Sequence, residues 1–239
     1  IAIALMHASG DNFRLVFWIA VVPAVAAALV LLFGVKERVT PARRTGWRMQ
    51  VADLKLFPAA FWWAVGIAGL LSLARFTPAF LVMKGHAIGI DAAFLPAILT
   101  VMHLSYAMTS YPFGVLADRV PRRRQLIFGA GVLVASDIVL ATAESALAIS
   151  LGAAAWGLQL AITQGLLAAA VADSAPARLR GTAFGILDVT NSLSVFAASS
   201  AAGLFWTFAS PDWTFGFSAT VGALAIVTLL SHRSTFGRS

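Results

Sequence analysis

Cysteine is missing from all 239 residues, only 11% are charged, and acidic residues number just ten. Without thiols there is no disulfide frame and no thiolate metal site. So little charge excludes an ordinary water-soluble domain, where charged residues make up about a quarter of the chain. Signatures of common catalysts are also lacking: there is no His-Glu-x-x-His, no Gly-x-Ser-x-Gly and no Gly-x-x-x-x-Gly-Lys. Those gaps argue against metalloprotease, serine hydrolase and ATP-driven chemistry. Neither enzymatic activity nor a cofactor or metal is expected.

What the chain has is apolar surface, with 60% hydrophobic residues and a mean hydropathy of +0.87. A helix that crosses a bilayer needs about 20 mostly apolar residues. Seven runs approach or exceed that length: Phe13–Val35, Phe57–Met83, Phe94–Leu116, Gln125–Ala143, Leu147–Ala172, Phe184–Phe208 and Trp213–Leu230. The expected fold is an all-α polytopic membrane helix bundle. Ile1–Met6 reads as the last turns of a helix already under way, with no initiating Met and no basic leader. The chain is therefore expected to be a piece lacking its N-terminal part.

A net charge of +7 and a pI near 11.0 suggest nucleic acid in a soluble protein. Here no basic face is interleaved with aromatics, and the cations sit in alternate connections. Counted from Lys36, the connections carry 6, 1, 4, 0, 2, 0 and 2 Lys or Arg residues. Lys and Arg near helix ends are held on the cytoplasmic side. Residues 36–55, 117–124 and 174–182 and the C-terminus are therefore expected in the cytoplasm. Anionic lipid headgroups, not nucleic acid, are the partners that this charge implies. Within residues 36–55, Trp47, Val51 and Leu54 recur at i, i+4 and i+7, the spacing of a basic amphipathic helix on the membrane surface.

One turn is more specific than topology requires. Gly114-Val-Leu-Ala-Asp118-Arg119-Val-Pro121-Arg122-Arg123-Arg124 joins two apolar runs and sets a carboxylate among four arginines. The order Gly-x-Leu-Ala-Asp-Arg-x-x-Arg-Arg resembles the signature loop of the major facilitator superfamily, with Pro121 where that pattern has a second glycine. Arg178-Leu-Arg180-Gly181-Thr-Ala-Phe-Gly185 resembles the turn before that family's eleventh helix, and Trp206–Phe215 the turn after it. The register implied is helices six to twelve: an MFS-like six-helix C-terminal half plus one preceding helix. Residues 1–35 would then end the N-terminal bundle, 36–55 form the cytoplasmic linker, 56–231 the C-terminal bundle and 232–239 a cytoplasmic tail. The missing N-terminal half becomes the implied partner.

Ionisable and polar residues inside spans are costly and invite function. Arg75 is expected near the outer end of its span, close to a kink or break at Pro78. It either snorkels to the headgroups or offers a fixed positive charge to a central cavity. Thr100, His103, Ala107 and Ser110 form a stripe, and His103 is a candidate proton carrier or a plain interhelical hydrogen-bonding residue. Gln159 and Thr163 share a face with Trp156. In the family register, Arg75, His103, Gln159 and Thr163 line the cavity for substrate or proton. Asp137 falls in a peripheral helix and must face its neighbours. Gly114, Asp118, Arg119, Arg122 and Arg123, with Asp188 of the sixth span, are the expected cytoplasmic gate, and Asn191 lies one turn on from Asp188. Ala197–Gly203 and Phe128–Gly131 are expected to pack tightly.

The resemblance implies a secondary transporter that moves a small solute by alternating access, with a proton as candidate coupling ion, in a bacterial inner membrane. A membrane assembly or sensor subunit that no longer transports is the alternative.

Overall fold

The computed structural model describes residues 5, 13–34 and 51–231. Most of the amphipathic segment, Ile1–Met6 apart from Leu5, and the tail lie outside them. Within the described residues the chain is all-helical. The α-helices are α1 (Phe13–Gly34), α2 (Ala59–Leu73), α3 (Ala79–Ala87), α4 (Leu95–Ala117), α5 (Arg122–Ala141), α6 (Ala146–Ser174), α7 (Arg180–Phe208) and α8 (Pro211–Ser231). Short 3-10 turns at Val51–Leu56 and Ala177–Leu179 lead into α2 and α7. Three helices, α5, α6 and α8, are long and apolar enough to cross a membrane by themselves. The protein is a membrane helix bundle.

The expected span Phe57–Met83 is two helices, not one. Pro78 brings no N–H, and the residue before a proline is pushed out of helical geometry. Residues 74–78 leave the helix accordingly. In a bilayer the backbone groups so freed must find partners inside the protein. Thr77 N donates to Ser199 Oγ at 3.0 Å, and Ser218 Oγ bonds to Ala74 O. Other helices run slightly beyond their expected ends. Arg122–Arg124 lie in the first turn of α5, and Lys84 lies within α3, where a loop was expected.

Between helices, lipid tails are as apolar as leucine, so close packing and hydrogen bonds hold the bundle together. α6 is its axis and packs on α2, α3, α4, α5 and α7, while α8 packs on α5, α7 and α2. Gly157 marks the tightest approach: a Cβ there would stand 2.0 Å from Met102 O of α4. Gly129 is also closed, with Thr163 Cγ2 2.5 Å from such an atom, whereas Gly131 and Gly203 have open space. Tight packing within Phe128–Gly131 therefore falls on Gly129, and within Ala197–Gly203 on the buried Ala198 and Ala202.

The core comes in two clusters stacked along the bundle. Phe61, Leu71, Leu126, Ile162, Val171, Leu187 and Leu229 fill the end nearest the arginine turn. Phe76, Leu133, Leu140, Ile149, Trp156, Ala202 and Phe215 fill the far end. The break at residues 74–78 lies where the two meet, with Leu71 in one cluster and Ala74 and Phe76 in the other.

Candidate functional site

At the basic end, Asp118 caps α4 and Pro121 immediately precedes α5. Three arginines in a first helical turn face the positive end of the helix dipole, an unfavourable placement. Two of them are drawn off to other elements. Arg122 Nη2 donates to Asp173 Oδ2 at 2.6 Å, near the end of α6. Arg123 donates through Nε to Leu229 O (2.6 Å) and through Nη2 to Leu230 O (2.8 Å). Those carbonyls belong to the last turn of α8, which a cation satisfies well. Gln125 Nε2 closes the turn on Leu116 O at 2.7 Å. Asp118 is exposed and makes no side-chain hydrogen bond or ion pair among the described residues. In this conformation, then, Arg122 and Arg123 bind Asp173 and α8, not the carboxylate between them in sequence. Gly114 and Arg119 are exposed.

Asp188 is also exposed and stands apart from that turn's hydrogen bonds. Its neighbour Asn191 belongs to a second cluster, at the break. Ser72 Oγ donates to Asn191 Oδ1 (2.9 Å), and Arg75 Nη2 donates to Ser72 Oγ (3.1 Å). Arg75 Nε bonds Leu71 O at 3.2 Å. The guanidinium thus folds back along α2 instead of extending toward the nearer membrane surface. It forms a fixed, half-buried positive charge tied to α7 through Ser72.

His103 is exposed on α4, and its Nδ1 lies 2.7 Å from Leu99 O. A carbonyl only accepts, so the hydrogen sits on Nδ1. Thr100 and Ser110 likewise bond back to Pro96 O and Tyr106 O. The stripe exists and satisfies itself from its own helix. Gln159 and Thr163 lie elsewhere. Both are fully buried, Gln159 Nε2 donates to Thr163 Oγ1 at 3.0 Å, and Thr163 faces Gly129 of α5. The four proposed cavity residues therefore divide into an exposed His103, a half-buried Arg75 and a buried pair within α6.

Two polar residues gain partners that the sequence did not name; Asp137 faces its neighbours as expected, while Lys84 was placed in a loop. Lys84, 8% exposed, donates to Asp212 Oδ1 (2.7 Å) and Ala141 O (3.1 Å), tying α3, α8 and the end of α5 together at the far end. Asp137 of α5 is buried, with Oδ2 2.5 Å from Ser218 Oγ. The signals available were a lone cation in a cation-poor connection and a lone intramembrane carboxylate. Neither says which helix supplies the partner.

A bundle of apolar helices, one broken at an arginine, with an arginine turn at one end, defines a multi-pass membrane protein. A family model described as Major Facilitator Superfamily matches residues 62–237. The chain belongs to that superfamily. Over 213 residues it is 28% identical to an uncharacterized MFS-type transporter of Methanocaldococcus jannaschii, covering 84% of this chain and 52% of that protein. Over 118 residues it is 29% identical to an MFS-type efflux pump of Pseudozyma antarctica, covering 49% of this chain and 22% of the pump. The chain thus spans about half the length of the first relative and less of the second.

Proposed function

We propose that this chain is the C-terminal half, with the preceding helix and the linker, of a secondary transporter that carries a small solute by alternating access. Its basic end and C-terminus face the cytoplasm of a bacterial inner membrane, and the N-terminal half completes the pathway. The observation that carries this reading is the α2–α3 break with its inward-folded Arg75. Transporters of this kind place discontinuous helices at their binding sites, because unwound backbone and fixed charge there meet the substrate. Arg75 then favours an anionic group on the solute. His103, with its hydrogen held on Nδ1, presents Nε2 as a proton acceptor.

In this reading the Gly114–Arg124 turn is a latch, open here and closed when Asp118 takes back one of its arginines. The test is conformational and needs no known substrate. In the full-length protein, freed of any other cysteine, Val189→Cys reports access near the basic end. Closing the latch with one charge-assisted pair contributes about 1.5–3 kcal/mol, enough to tip a two-state balance of that size. Asp118→Asn removes that pair. Alkylation of Val189→Cys by an impermeant maleimide in inside-out vesicles should therefore quicken about tenfold, with membrane abundance unchanged. An unaltered rate returns the turn to a spacer that only sets topology.

A further inference from the structure

α4 packs on α6, α5 packs on α6 and α8, and α4 and α5 barely touch each other. Between them, beside the basic turn, opens a groove of about 400 Å³ lined by Phe113, Leu116, Val120, Arg124, Gln125 and Phe128. Phe113 and Phe128 form its aromatic wall, with ring centroids 6.3 Å apart and planes at 20°. Its two polar residues are distinct in kind. Arg124 is exposed and, unlike Arg122 and Arg123, has no partner among the described residues. Gln125 is 3% exposed; its amide nitrogen is committed to Leu116 O and Val120 O, and its Oε1 is a buried acceptor with no donor.

We infer that this groove binds one anionic phospholipid with a hydroxylated headgroup, phosphatidylglycerol, from the leaflet at the basic end. The groove lies where α4 ends and α5 begins, and α5 is long and apolar enough to cross the membrane, which sets its first turn at the depth of the headgroups. Arg124 supplies the phosphate contact, and a guanidinium suits phosphate geometry better than an ammonium does. The aromatic and leucine wall takes an acyl chain. Glycerol hydroxyls are donors of the kind that Gln125 Oε1 lacks, and a choline headgroup has none. The inference needs only the membrane placement, so it stands apart from the transport reading.

Native mass spectrometry of the full-length protein, released from detergent with equal amounts of phosphatidylglycerol and phosphatidylcholine, tests it. The wild type should retain phosphatidylglycerol preferentially. Arg124→Gln should lower that retention about fivefold to tenfold, the scale of one basic residue at an anionic surface. Arg180→Gln, a change at an exposed arginine that does not line the groove, should not. Glycerophosphoglycerol, which carries the headgroup without acyl chains, should fail to compete. Because Arg124 is exposed and unpaired here, its substitution leaves the thermal midpoint unchanged, so a loss of lipid is not a loss of fold. Equal retention by Arg124→Gln, equal retention of the two lipids, or displacement by the headgroup alone overturns the inference. So does a wild type that retains neither lipid, which means that protein covers the groove.

Discussion

The two ends of the bundle solve one problem with opposite means. At the basic end, three neighbouring arginines diverge: one binds Asp173, one binds the last carbonyls of α8, and the third lines the groove beside Phe128 unpaired among the described residues. The Arg122–Asp173 pair is well exposed, with side chains 37% and 60% accessible. At the far end, one lysine with an 8% accessible side chain binds a 62% accessible aspartate and a helix-terminal carbonyl at once, so the shielding is on the lysine's side alone. Exposed pairs contribute about 0–1 kcal/mol and exchange partners freely. A shielded, doubly bonded cation is expensive to strand. The difference teaches where movement is built in. The far end is a clamp on α3, α5 and α8, and the basic end is a set of replaceable contacts.

Substitutions can break this contrast, and the largest effect belongs at the clamp. Asp212→Ala leaves Lys84 shielded with only the Ala141 carbonyl, a loss of about 2 kcal/mol. Lys84→Met removes the charge and keeps the volume, so its loss should be smaller. Thermal unfolding of the purified protein in detergent ranks the two, with Asp173→Ala as the comparison from the basic end. If Asp212→Ala is no worse than Asp173→Ala, the ends are equivalent and the contrast fails.

Arg123→Gln comes next, because it uncaps α8. The expected cost is about 1 kcal/mol, concentrated in the last turn. Hydrogen–deuterium exchange should quicken in the peptide ending at Ser231 while the start of α8 at Pro211 is unaffected. Smallest is the Arg122–Asp173 pair. A double-mutant cycle with Arg122→Gln and Asp173→Asn should give under about 1 kcal/mol, vanishing near 1 M salt. A coupling that survives such salt would mark the basic end as a second clamp.

Much of this was legible in the chain. The spans follow from run length, and the break follows from Pro78, whose missing N–H no bilayer supplies. Pairing between helices was not legible. Asp118 sits among arginines in sequence, yet once α5 starts at Arg122 the helical rotation fans those side chains toward α6 and α8. Gln159 and Thr163 share a face as their spacing requires, but spacing is silent on whether that face meets a cavity or Gly129. Lys84 read as a loop cation because charge ends a hydropathy run, although Asp212 lets the helix continue past it. Gly157 carried no signal, since its role is set by the backbone of Met102 on another helix.

Ser218 has one hydrogen and two oxygen neighbours, Ala74 O and Asp137 Oδ2. A hydroxyl has one hydrogen to give, so a single group on α8 is shared between the carbonyl freed at the break and a carboxyl group of α5. Three elements meet on that one oxygen. A change at position 137 is therefore felt, through α8, by the segment that carries Arg75.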